Sequence, residues 1–277
     1  MVRIAVSLIA LLSMLGSAVA QTPPAPTAPP AQAAAPAKPA PKKAAKPKAP
    51  AKPAEPATSG PCGIGVIAAT QDPFVVEKIG LTVFGNEYAE VPVSWGLDDV
   101  VFARVRAAAG ATPVRRIAYA KGTFDAFYHP KPSLFRNERE ELSTLIRQIA
   151  GNAGCERYVV VTRGEGVLPG TNLPLRGLGM FNRGIGIISY TFLYAYVGVT
   201  VFDGQTFEIR KGPALTLEGV VKHMADGFGQ DPHLHKMDNA LFPATATDAA
   251  NNTILRDNMR DFLTERLDKI LPPYFAP

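Results

Sequence analysis

Short apolar runs alternate with helical periodicities along most of the chain. Gly63 to Ala69 (GIGVIAA) is compact and continuous, which predicts a buried strand. Ile79 to Phe84 and Tyr88 to Val93 flank the turn signal Gly85, Asn86 and predict a hairpin. Leu97, Val100, Val101, Val105 and Ala108 then share one helical face. Asp98 and Asp99 suit the positive end of that helix, and Gly110 ends it. Val114 to Ala120 predicts a further strand. After a polar, aromatic loop, Asn137 is placed to cap a helix whose Leu142, Leu145, Ile146 and Ile149 recur at helical spacing before Gly151 and Gly154. Tyr158 to Thr162 (YVVVT) reads as a central strand. The last periodic segment, Asn252 to Ile270, carries Leu255, Met259, Phe262, Leu263, Leu267 and Ile270 on one stripe and stops at Pro272 and Pro273. Strands interleaved with helices predict one α/β (α+β) domain, a mixed β-sheet with packed helices, over residues 60–277.

Ile185 to Phe202 is uncharged and long enough to raise the question of a membrane helix. Its glycines, its β-branched and aromatic content, and the turn signal Asp203, Gly204 favour a strand instead. In that strand Tyr190, Phe192, Tyr194 and Tyr196 share one face, while Thr191, Leu193, Ala195, Val197, Val199 and Val201 share the other. The aromatic face is a candidate docking surface, because tyrosine joins an apolar body to a polar tip. The alternative is a strand covered on both sides.

The chain before residue 60 has a different character. Arg3, the apolar run Ile4 to Leu15 and the triplet Ala18, Val19, Ala20 form the pattern of a secretory signal peptide over residues 1–20, with cleavage expected before Gln21. No Cys stands at that point to carry a lipid. Residues 21–59 contain no Leu, Ile, Val or aromatic side chain, so they lack the apolar surface needed to offset ordering entropy and are expected to be a disordered Pro/Ala/Lys-rich linker. Proline-rich chain of this length reaches on the order of 100 Å when extended.

That division changes the meaning of the charge. Of 29 basic and 24 acidic residues, setting aside Arg3, the six linker lysines and Glu55 leaves 22 and 23. The folded part is near neutral, which argues against a nucleic-acid groove. The linker lysines remain free to meet an anionic lipid or cell-wall surface.

Cys62 and Cys155 each stand directly before an apolar strand candidate. If those strands are parallel neighbours, both thiols lie at one sheet edge, and a disulfide is expected in an oxidising compartment. Two free thiols are the alternative, and two cysteines alone do not complete a metal site.

Candidate chemistry is sparse. Gly164 to Gly184 is rich in glycine and follows the predicted central strand, so Arg163, Glu165, Arg176 and Arg183 are a candidate site for an anionic ligand, with an irregular hairpin connection as the alternative. Asp231, His233, His235 and Asp238, with His223 upstream, are a candidate metal set, since alternate residues of an extended segment aim to one side; a polar surface loop is the alternative. Gly-x-Ser-x-Gly and His-Glu-x-x-His are absent, so no catalytic residue is nominated and no cofactor is implied.

The signal pattern, the linker and the phrases LTVFGNE (81–87) and LDKILPPYF (267–275) resemble uncharacterised exported proteins of Gram-negative bacteria. The order of a YVVV strand after a helix, a long hairpin and a final amphipathic helix is similar to the periplasmic α/β domain of curli-secretion-type lipoproteins. That resemblance implies architecture and transfers no functional residue. The combined expectation is a periplasmic or secreted, envelope-associated module that binds or scaffolds rather than catalyses. Its partner would be an envelope protein, the cell wall or lipid. A small-ligand- or metal-binding protein is the alternative.

Overall fold

The structure, a computed structural model, describes residues 60–80, 83–132, 135–168, 170–185, 188–210, 212 and 231–276. The signal pattern, the linker and His223 lie outside the described residues.

Strands β1 (Cys62–Ala69), β4 (Val114–Arg116), β5 (Cys155–Arg163) and β10 (Val197–Asp203) make a four-stranded sheet in the order β10-β5-β1-β4. Within it β1 is parallel to both β4 and β5, and β10 runs antiparallel to β5. A second sheet follows the order β11-β9-β8-β2-β3, built from β2 (Phe74–Ile79), β3 (Glu87–Val91), β8 (Leu178–Ile185), β9 (Ile188–Ala195) and β11 (Leu234–Met237). Strands β6 (Glu165–Val167) and β7 (Pro174–Arg176) form a small separate hairpin. Among the described residues the α-helices are α1 (Leu97–Ala108), the single turn α2 (Asp125–Tyr128), α3 (Glu138–Ala150) and α4 (Thr253–Ile270). The expected mixed α/β architecture is present, with its strands divided between two sheets rather than gathered in one.

Side-chain alternation assigns each face. Ile64, Val66, Val159 and Val161 of the first sheet, and Phe74, Val76, Met180 and Leu193 of the second, enter one core with α1 and α4. The opposite face of the first sheet sends Ile67, Tyr158 and Val160 against Leu142 and Ile146 of α3. The opposite face of the second buries Val75, Phe181 and Tyr194 with Leu168 and Leu175 from the β6–β7 hairpin.

Local chemistry fixes the helix starts. Asn137 accepts from the Glu140 amide at 3.3 Å, and Asn252 accepts from the Leu255 amide at 2.9 Å. Gly96, at φ +65°, begins α1 without a side-chain cap, and Arg260 of α4 donates to the carbonyls of Trp95 and Gly96 at 2.5 and 3.1 Å. Cys62 and Cys155 occupy directly paired positions of β1 and β5 and are joined by a disulfide across a Cα separation of 4.5 Å.

Three sequence expectations need correction. The predicted hairpin exists, but its first arm is Phe74–Ile79, where Phe74, Val75 and Val76 are all buried. Asn86, placed at the turn by the sequence, closes the loop by accepting from the Gly80 amide at 3.0 Å. Strand β4 ends at Arg116 rather than Ala120, although the Ile117 amide still donates to Val66. The stretch read as one strand to Phe202 is passed between sheets at Tyr196. There Gly164 donates to Tyr196, Tyr196 to Gly177, and Gly177 to Gly164, all through backbone atoms at 2.8 to 2.9 Å.

Candidate functional site

Strands β1 and β4 are parallel neighbours whose carboxyl ends lead to opposite faces of the sheet. The chain after β1 passes through β2 and β3 of the second sheet and then forms α1, on the face shared with α4, whereas the chain after β4 goes on to α2 and α3, on the other face. A crevice must open where two such connections diverge, and in open α/β sheets this is where ligands gather. The protein has a cleft of about 430 Å³ there, lined by Ala68, Gln71, Asp98, Tyr119, Tyr128 and Arg163, among others.

Its walls are held by buried polar contacts. Asp98, in the first turn of α1, takes three hydrogen bonds on Oδ1: from the Thr70 amide at 2.9 Å, the Thr70 hydroxyl at 3.0 Å and the Gln71 amide at 3.2 Å. Burial raises the Asp98 pKa, and these hydrogen bonds, with the Arg116 charge, partly oppose the rise. Tyr119 donates to the Ala68 carbonyl and Tyr128 to the Ala69 carbonyl, each at 2.6 Å. Both hydroxyls are pushed above the ordinary tyrosine pKa by burial, so they stay protonated.

Arg163 enters from the end of β5. Its amide donates to the Tyr128 hydroxyl at 3.2 Å, and its guanidinium carbon lies 3.8 Å from the centre of the Tyr128 ring. Its Nε is buried without a hydrogen-bond partner, and no described carboxylate lies within ion-pair distance. Arg163 also borders a broader cleft of about 780 Å³ beside Gly198 to Val201 of β10.

The other nominated residues disperse. Arg176 and Glu165 face each other across the β6–β7 hairpin in an exposed ion pair at 3.1 Å. Arg183 lies on β8 in register with Ile79 and Tyr190. The anion site placed on Arg163, Glu165, Arg176 and Arg183 is therefore not assembled; only Arg163 reaches a cleft. Two glycines of this segment serve close approach. A Cβ at Gly166 would overlap the Tyr196 ring, and one at Gly179 the Tyr194 ring.

The tyrosine row is graded rather than displayed. Tyr194 is fully buried, Tyr196 is 6% exposed, Phe192 is half-buried against Phe181, and Tyr190 alone is open at 39%. The β6–β7 hairpin covers the buried end. Tyr194 and Tyr196 are thus withdrawn from any partner, a burial that alternation along the strand does not reveal.

Asp231, His233, His235 and Asp238 do not converge either. Both imidazoles turn to the same side, as alternation requires, but they meet α4: His233 lies 3.3 Å from a guanidinium nitrogen of Arg266, and the His235 ring packs 5.4 Å from that of Phe262. His233 also stacks on Tyr196, Asp231 accepts from the Tyr196 hydroxyl at 3.3 Å, and Asp238 caps a short turn at the Ala240 amide. Among the described residues no three His, Cys, Asp or Glu side chains are grouped to hold a metal. The candidate metal set is a series of packing and capping roles.

Glu77 and Arg266 are further buried ionisable groups. Glu77, 6% exposed on β2, faces the Tyr194 hydroxyl at 3.5 Å, and burial raises its pKa to about 6.

Asp98, Tyr119 and Tyr128 are not legible in the sequence as site residues. Asp98 reads as a helix-start residue, and the tyrosines sit in an irregular aromatic segment. The available signal is the end of the first parallel strand, to which the carboxyl-end rule applies as well as to the central one.

The fold and cleft define an α/β domain with its pocket at a topological switch point. Comparison with known proteins finds no matching family model, curated protein or solved structure.

Proposed function

We propose that this protein is an exported, tethered binding module whose ligand is a small molecule bearing a carboxylate or phosphate group held by Arg163 in the β1–β4 cleft. One observation carries the reading: a guanidinium with a buried, unpartnered Nε and no described carboxylate partner borders a cleft at the position where α/β sheets receive ligands. A ligand carboxylate or phosphate in the cleft would give the guanidinium the charged partner that no described carboxylate supplies. Binding suits the lining better than conversion does, because both tyrosine hydroxyls are committed to backbone carbonyls and no His, Cys or Ser lines the cleft among the described residues.

The pattern of residues 1–20 and the disulfide support a periplasmic or secreted location. Residues 21–59 suit a spacer, with lysines able to meet an anionic envelope surface.

Thermal unfolding of the mature protein with acetate, phosphate, citrate, sugar acids and free amino acids tests the site. At a concentration a hundredfold above Kd, a ligand stabilises by about 2.7 kcal/mol. At least one compound should raise the unfolding temperature, with the rise lost in Arg163→Gln and kept in Arg176→Gln. If no compound stabilises the protein, or if Arg163→Gln responds like the unaltered chain, the assignment is wrong.

A further inference from the structure

Asp98 faces the same cleft as Arg163. Its Oδ1 is occupied by Thr70 and Gln71, whereas Oδ2 accepts from no described protein donor. Asp98 and Arg163 do not pair with each other; no ion pair joins them, although both act electrostatically on Tyr119 and on Tyr128. The two tyrosines are therefore near both charges, and an acceptor and a cation open on one small space.

The surrounding charge is balanced as well. Carboxylates come from Asp72, Asp98 and Asp125, and cations from Arg116, Lys121 and Arg163. A simple anion would neutralise Arg163 and add repulsion with Asp98, while a simple cation would do the reverse. A ligand carrying both signs satisfies both groups and leaves the balance unchanged. The volume of about 430 Å³ sits toward the small end of ligand pockets.

We propose that the ligand is a small zwitterion of the amino-acid type, its carboxylate bound by the Arg163 guanidinium and its ammonium by Asp98 Oδ2. This rests on the assignment of the cleft as the ligand site and narrows the ligand's class. Tyr119 and Tyr128, fixed to the end of β1, contribute aromatic wall. The Oδ1 contacts orient the Asp98 carboxylate without consuming its second oxygen.

Calorimetric titration of the mature protein tests this, using L-alanine, L-leucine and L-glutamine, their N-acetyl derivatives and their amides. At least one free amino acid should bind, and blocking either its amine or its carboxylate should weaken binding by about tenfold or more. Asp98→Asn keeps an oxygen to accept from Thr70 and Gln71, so it should fold and should bind the free amino acid and its N-acetyl derivative alike. If the unaltered protein binds the N-acetyl derivative as tightly as the free amino acid, the ligand is a plain anion; the zwitterion fails and the cleft survives. The zwitterion fails in the same way if no free amino acid binds while another anion stabilises the protein through Arg163. If neither amino acids nor anions bind, both readings fail. The blocked derivatives are tested on the unaltered chain, so instability of Asp98→Asn would not spare the proposal.

Discussion

Replacing Glu77 by glutamine should stabilise the domain near neutral pH and leave it almost unchanged in acid. Glu77 is paired in register with Tyr88 on β3 and Phe181 on β8, and among the described residues its carboxyl group has only the Tyr194 hydroxyl as a side-chain hydrogen-bond partner, at 3.5 Å. Burial disfavours its charged form and raises its pKa from 4.5 to about 6. Below the unfolded value the group is neutral in both states and costs nothing. As pH rises toward 6 the unfolded chain gives up its proton first, so folding loses stability until the group is ionised in both states. The difference corresponds to about 2 kcal/mol above that window. For a domain of this size the substitution should raise the neutral-pH melting temperature by roughly 4 to 8 °C. Urea unfolding of both proteins at about pH 4 and about pH 7.5 measures it. Taking the difference between them removes the contribution of Asp98, whose pKa is also raised. A variant no more stable than the parent at neutral pH, or one stabilised equally at both, refutes the reasoning.

Two further predictions concern the disulfide within the first sheet and the packing of the β6–β7 hairpin. The Cys62–Cys155 disulfide closes a separation of 93 residues, so its removal as the double serine variant should cost about 4 to 5 kcal/mol, read as the loss of unfolding free energy against the oxidised protein; a loss below about 1 kcal/mol would contradict this. Gly166→Ala should destabilise by about 1 to 3 kcal/mol and disturb the near-ultraviolet signal of Tyr196, whereas Gly184→Ala, with open space at its Cβ, should do neither; equal effects would show that the Tyr196 ring has room to move.

The helices are legible in the sequence because their signals are local. Asn137 caps as expected, the last helix begins at the expected place with Asn252 as its cap, and the stripe from Leu255 to Leu267 is buried. The disulfide is legible because the two cysteines precede two strands that are parallel neighbours. What stays hidden is set by pairings distant in sequence. The transfer of the chain between sheets at Tyr196 depends on backbone bonds to Gly164 and Gly177. Nothing in the alternation of Tyr190 to Tyr196 announces that a hairpin formed by residues 165–176 will cover half the row. The cleft is hidden for the same reason: Asp98, Tyr128 and Arg163 are far apart in the chain and meet only because β4 and β5 flank β1. Arg163 stands out for a sound reason, its place at the carboxyl end of a parallel strand. Proximity in sequence then groups it with arginines that share its segment but not its location.

The most direct measurement is amide chemical-shift mapping of the isotope-labelled mature protein, titrated with the free amino acid that binds best. Shifts concentrated at Ala68 to Gln71, Ile117 to Tyr119, Tyr128 and Arg163 are the predicted result. Shifts concentrated instead at Tyr190, at Arg176 or along Asp231 to Asp238 would place the ligand elsewhere and contradict the account.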